Sequence, residues 1–149
     1  MPDYTQSEAR GYLLTALSSV AGLAPDRHLW GNREATWTSL ERHYRLEDAG
    51  WEDLGWYRNA PGGRMRRAES IIVHLTHRMA NSSSKTWERA AIDCDKVTRR
   101  LLNDTGIRAA GIRVTVEPPT VEESDSGDHL ETDIPILYEY DFALTVEAA

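Results

Sequence analysis

The stretch IIVHLTHRM, residues 71 to 79, places His74, Thr76 and His77 within four positions. Two imidazoles and a hydroxyl this close together are the groups from which a metal site or an acid–base pair is built. Which of these can form depends on the backbone that carries them. In an extended chain, successive side chains alternate between faces. Ile71, Val73, Leu75, His77 and Met79 then share one face, and Ile72, His74, Thr76 and Arg78 the other. Histidines three apart on a strand look in opposite directions and cannot close on one ion, whereas on a helix they could converge. The alternation favours a strand, so the pair reads as one exposed histidine and one partly buried and hydrogen-bonded.

His74-Leu75-Thr76-His77 resembles the histidine-x-threonine signature of two-histidine phosphoesterases, in which two such motifs on paired strands face one phosphate. In that alternative reading His74 and Thr76 would be the catalytic pair. The other half would have to be His129-Leu130-Glu131-Thr132, which puts a carboxylate where the hydroxyl belongs and lies in the most anionic segment of the chain. Such a field repels an anionic substrate. Cys94 falls on a predicted buried helical stripe and reads as a packed thiol. Its neighbours Asp93 and Asp95 are two apart, which on a helix separates them by roughly 200° and prevents joint chelation. No P-loop, nucleophile elbow or dinucleotide fingerprint is present. The chain thus reads as no enzyme, with no cofactor and no metal.

The elements that must position these residues follow from composition and period. At 149 residues, 40% hydrophobic and 28% charged with a mean hydropathy of −0.54, the chain reads as one soluble domain, residues 1–149. No apolar run approaches the roughly 20 residues that cross a bilayer, so no membrane partner is expected. The opening MPDYTQSEAR has neither the basic nor the apolar region of a secretory signal, which predicts action where the protein is made or export within an assembly. A single cysteine excludes an internal disulfide. Of the 24 acids, seven (Glu117, Glu122, Glu123, Asp125, Asp128, Glu131 and Asp133) fall within residues 117 to 133 with no Lys or Arg among them. The remaining acids balance the 17 bases, so this segment carries the whole net charge of −7.

Along the chain, Ala9, Tyr12, Leu13, Ala16, Leu17 and Val20 mark one face of a helix over about 6–21, with Thr5 and Glu8 at capping-box spacing and Gly22 and Pro25 as the stop. Residues 24–68 show no sustained period. TWTSLERHYRL is read as a strand through Thr38, Leu40, Tyr44 and Leu46, and APGGR as a turn leading into a strand that runs back. NSSS caps a second helix whose inner side is Trp87, Ala90, Ala91, Cys94, Val97, Leu101 and Leu102, ending before Gly106. Ile112, Val114 and Val116 alternate until Pro118 and Pro119 end a strand. An acidic loop follows, and then PILYEYDFALTVE, whose inner residues are Ile136, Tyr138, Tyr140, Phe142, Leu144 and Val146. The class is α+β, a mostly antiparallel sheet with two amphipathic helices packed on it. The basic patch Arg64, Arg66 and Arg67 reads as surface salt bridging or, with Trp51 and Trp56, as a subunit interface.

In order and length of elements, RAESIIVHLTHRM, the helix WERAAIDCDKVTRRLL, IRVTVEPP and ILYEYDFALTVE together resemble the tail terminator (tail completion) proteins of long-tailed bacteriophages, the minor tail protein U type. That resemblance implies a structural virion protein, assembled in the host cytoplasm. It would form a hexameric ring that caps the tail tube, ends its polymerisation and joins it to a head connector or stopper protein. DNA would pass through the channel without specific binding. In that setting the segment with Glu122, Glu123, Asp125, Asp128 and Glu131 is expected to line the channel or face the tube, where six copies of its charge would keep DNA from sticking.

Overall fold

The fold is described from a computed structural model, for residues 3–30, 42–56, 64–79 and 83–143. In chain order the elements are α1 (Gln6–Ser18), β1 (Ala24–Trp30), β2 (Arg42–Trp56), β3 (Arg64–Arg78), α2 (Ser83–Asn103), α3 (Thr105–Ala109), β4 (Arg113–Val116), β5 (Thr120–Glu123) and β6 (His129–Ala143). The strands form one sheet in the order β1-β2-β3-β6-β4, with β5 also paired to β6. Among the described strands β1 with β2 is parallel and the other strand pairs are antiparallel, with an isolated parallel bridge from Tyr4 to Phe142. The class is α+β, as the periodicities require.

The capping box forms as its spacing predicts: Thr5 Oγ1 accepts from the Glu8 amide and Glu8 Oε1 from the Thr5 amide. The helix stops at Ser18, earlier than the period implied, because the Ser19 amide and hydroxyl both turn back to carbonyls of its last turn. Gly22, at φ 87°, then reverses the chain. Pro25 lies inside β1, an edge strand, where its missing amide costs least. Leu13, Ala16 and Leu17 bury against Ile71, Val73, Leu75, Ile134, Ile136 and Tyr138. Tyr44 and Leu46 are buried on this face, as expected; Thr38, Leu40 and most of the APGGR turn lie outside the described residues, as do Leu144 and Val146.

In α2 the inner stripe differs from the one read from hydrophobicity. Thr86, Ala90, Asp93, Val97 and Leu101 are buried, while Trp87, Ala91 and Leu102, expected inside, face solvent. The apolar side chains span a wider arc than the sheet can cover, and the stripe one residue behind wins because Asp93 finds partners in the sheet. The helix ends at Asn103, before Gly106 as expected, and Gly106 itself sits within α3, capped by Asp104.

The acidic segment is not a loop. Thr120–Glu123 pair with β6, and a turn closed by the Gly127 amide on the Ser124 carbonyl returns the chain, with Gly127 at φ 75°. The final strand therefore begins at His129, ahead of the PILYEY alternation. Pro135 within it is accommodated because its carbonyl accepts from the Glu117 amide, so its nitrogen also points to that edge. There Pro118 and Pro119 separate β4 from β5, and no ladder bond to β3 is lost.

Truncation of neighbouring residues tests the α2 register. Leu101→Ala should lower the unfolding free energy by about 3 kcal/mol and Leu102→Ala by no more than about 0.5 kcal/mol. Equal losses in urea unfolding would contradict the observed stripe.

Candidate functional site

β3 sends its two histidines to opposite faces, and both are buried rather than one exposed. His77 faces the helices. Its Nε2 lies 2.6 Å from Asp93 Oδ2. Arg42 Nε donates to the same oxygen at 2.8 Å and its Nη2 to Oδ1. Asp93 has no solvent exposure. Burial pushes its carboxyl up, but the Arg42 and His77 hydrogen bonds together outweigh burial and hold it below the usual carboxylate range. For His77, burial depresses the imidazole more than Asp93 raises it, with Arg42 and Arg89 adding to the depression. The geometry accounts for this. A neutral ring donates through Nε2, and Nδ1 is buried with no partner among the described residues, so a second proton there would find no acceptor.

The same face holds a second carboxylate without exposure, Glu69. Its Oε1 accepts from Gln6 at 2.8 Å and from Arg10 Nη2 at 2.7 Å; its Oε2 accepts from the Tyr140 hydroxyl at 2.9 Å. Burial and the Glu69 charge raise the Tyr140 phenol well above its ordinary range, so it stays a donor.

On the face away from the helices, register places Arg45 opposite His74 and His74 opposite Asp133, whose Oδ1 lies 2.6 Å from His74 Nδ1. Glu47 Oε2 lies 3.6 Å from Nε2. The next row sets His43 opposite Thr76 and Thr76 opposite Glu131. The two half-motifs of the phosphoesterase reading therefore do lie on paired strands. Carboxylates occupy the positions where a phosphate requires donors, and Asp133 already engages the imidazole. Among the described residues no group of three or more His, Cys, Asp or Glu is placed to hold a metal ion.

The expected interface residues are only partly surface groups. Arg67 is buried, not free for a partner subunit: its Nε donates to Asp53 at 3.0 Å, and its guanidinium lies 3.6 Å from the Phe142 ring centre and 5.2 Å from that of Trp51. Arg66 pairs with Asp141 at 3.2 Å. Trp51 is 52% exposed. Trp56 and Arg64 belong to the ladder, opposite Met65 and Ala143; their side chains lie outside the described residues. Glu122, Glu123, Asp125 and Asp128 are exposed along the hairpin, and Glu131 is half-buried in β6. Cys94 is half-buried rather than part of the core, its thiol pushed up by burial and by Asp95.

Two further features were not anticipated from sequence. The carboxylates Glu69 and Asp93 stand at inward positions of a strand and a helix, a signal legible in the spacing once the register is known. A cleft of about 410 Å³ lies between the end of α1 and the second half of α2, lined by Lys96, Arg99, Arg100, Ser19 and Asn103 among others. Compared with known proteins, the chain matches no family model and no curated relative. Among the described residues no helix is long and apolar enough to cross a membrane.

Asp93→Asn leaves Arg42 and His77 without their buried anion and should cost about 3 kcal/mol of stability, read by urea unfolding. The depressed His77 pKa also gives a pH dependence of defined sign. Above about 6.5, the pKa of the unfolded imidazole, the neutral ring's contribution is complete; as pH falls from there toward the depressed value the unfolded chain takes up a proton that the folded chain refuses, and stability declines until the folded ring protonates as well. Thermal melts from pH 8 to 5 should show a falling melting temperature, with a shallower slope in His77→Gln, which keeps a donor for Asp93 and does not titrate. Identical slopes would exclude His77 as the source.

Proposed function

We propose that the protein is a structural subunit of a bacteriophage tail, a tail terminator whose ring caps the tail tube, ends its polymerisation and meets the head connector. The reading begins with the resemblance carried by the helix, strand, helix and strand segments. The observation that carries it further is the outer flank of α2. Trp87, Ile92 and Leu102, at 41%, 48% and 44% exposure, are large apolar side chains on a helix whose other side is already packed. Trp51 adds a fourth such side chain on β2. Exposed side chains of this size can serve as anchors for a neighbouring subunit.

A ring needs a heterologous contact repeated around a closing rotation, with on the order of 800 Å² buried per partner. A single exposed helix supplies part of that area, and β1, β4 and β5, at the edges of the sheet among the described residues, offer backbone groups for more. Six copies in one ring would bound a channel through which DNA passes without being read.

Electron microscopy of the purified protein mixed with tail tubes tests the reading. Rings seated on tube ends, with tube length no longer growing, are the expected outcome. Rings found only on head particles would instead assign it to the head side of the neck. Protein that stays monomeric and leaves tubes uncapped would end the proposal.

A further inference from the structure

We infer that the acidic β5–β6 hairpin of one copy docks, tip first, into the basic cleft between α1 and α2 of the next copy. The inference rests on the ring reading above and names one of the contacts that closes the ring. It also gives the acidic segment a neighbour in place of the channel wall expected from sequence.

The cleft has the character of a receptor for carboxylates. Residues 96, 99, 100 and 103 recur at helical spacing, so Lys96, Arg99, Arg100 and Asn103 share one side of α2, and that side meets Ser19 at the end of α1. Three cations line one concavity. Among the described residues none of the three is ion-paired, whereas Arg10, Arg42, Arg66 and Arg67 all are.

The hairpin has the opposite character. Glu122, Glu123, Asp125 and Asp128 are exposed on β5 and its turn, no Lys or Arg occurs between residues 117 and 133, and Val121 adds an apolar side chain at 39% exposure. Register sets Glu122 opposite Glu131, so the strand pair presents its acids along one edge of the sheet. The segment carries the entire net charge of the chain, and the cleft is the concave site among the described residues that gathers three unpaired bases. Duplex DNA is the less fitting occupant, because a chain of net charge −7 repels it at distance while attracting no more than the same three cations at contact.

The two surfaces lie on different parts of the molecule, one on the outer edge of β6 and the other in the helix layer. A hairpin seated in a neighbour's cleft leaves its own cleft and the neighbour's hairpin open. Repetition around a closing rotation then gives a ring. Exposed ion pairs are individually weak, so the contact sets partner choice and salt dependence while apolar surface adds area.

The test uses two charge-reversed forms of the full chain: Lys96→Glu/Arg99→Glu/Arg100→Glu, and Glu122→Lys/Glu123→Lys/Asp125→Lys. All six positions are at the surface, and circular dichroism checks that both variants fold. By light scattering the wild type should assemble, and each variant alone should need at least tenfold more protein to do so. An equimolar mixture should regain wild-type assembly, because every reversed hairpin meets a reversed cleft in an alternating ring. If each variant assembles like the wild type, or if the mixture fails although both fold, the docking is overturned and the ring reading stands. If binding of duplex DNA is lost in the cleft variant while assembly is not, the cleft belongs to DNA and the docking is likewise overturned. A wild type that never assembles, even at low salt, removes both.

Discussion

A carboxylate cannot be taken out of water unless donors converge on it, and this constraint organises the molecule. Among the described residues Glu69 on β3 and Asp93 on α2 are the acids with no exposure, and both lie between the sheet and the helices. Each is met by a guanidinium from another element, Arg10 of α1 for Glu69 and Arg42 of β2 for Asp93. Each also receives a second sheet donor, Tyr140 or His77. The two long helices are therefore tied to the sheet at one defined register apiece. Removing either partner would leave a buried charge with no compensation, so sliding or rotating a helix is far costlier than a change in apolar packing alone.

The sheet supplies the other half of this arrangement. β6 runs between β3 on one side and the β4 and β5 pair on the other, and its alternate residues from Leu130 to Tyr140 form a continuous inner row. Every ladder bond around Pro135 survives because the proline falls where β4 ends and β5 has yet to begin. The seven acids that appear as a loop in the linear sequence become a hairpin on the outer edge of that strand, where water screens the like charges while backbone hydrogen bonds hold the pairing.

The result is a scaffold whose polar groups mostly satisfy one another inside and whose distinctive features lie outside: an apolar flank on α2, a basic cleft beside it and an acidic hairpin on the far edge. His74 and His77, the side chains most suggestive of chemistry, are engaged by Asp133 and Asp93 on opposite faces. The proposed assembly draws on these surfaces of unlike charge rather than on the histidines.

Much of the local structure was legible in the residues. The Thr5 and Glu8 box, the alternation of β3 and of Ile136, Tyr138 and Tyr140, and the divergence of the two histidines all follow from short-range geometry, which the chain carries within a few positions. What the sequence could not decide was anything needing a distant partner. Hydrophobicity put Trp87 and Leu102 inside α2 and left Asp93 unassigned, because only the fold brings Arg42 and His77 to that carboxylate. Composition made the acidic segment a loop, because only pairing with β6 supplies its hydrogen bonds. Burial of a charge and pairing of an edge strand depend on groups tens of residues away, so the tertiary structure alone could settle them.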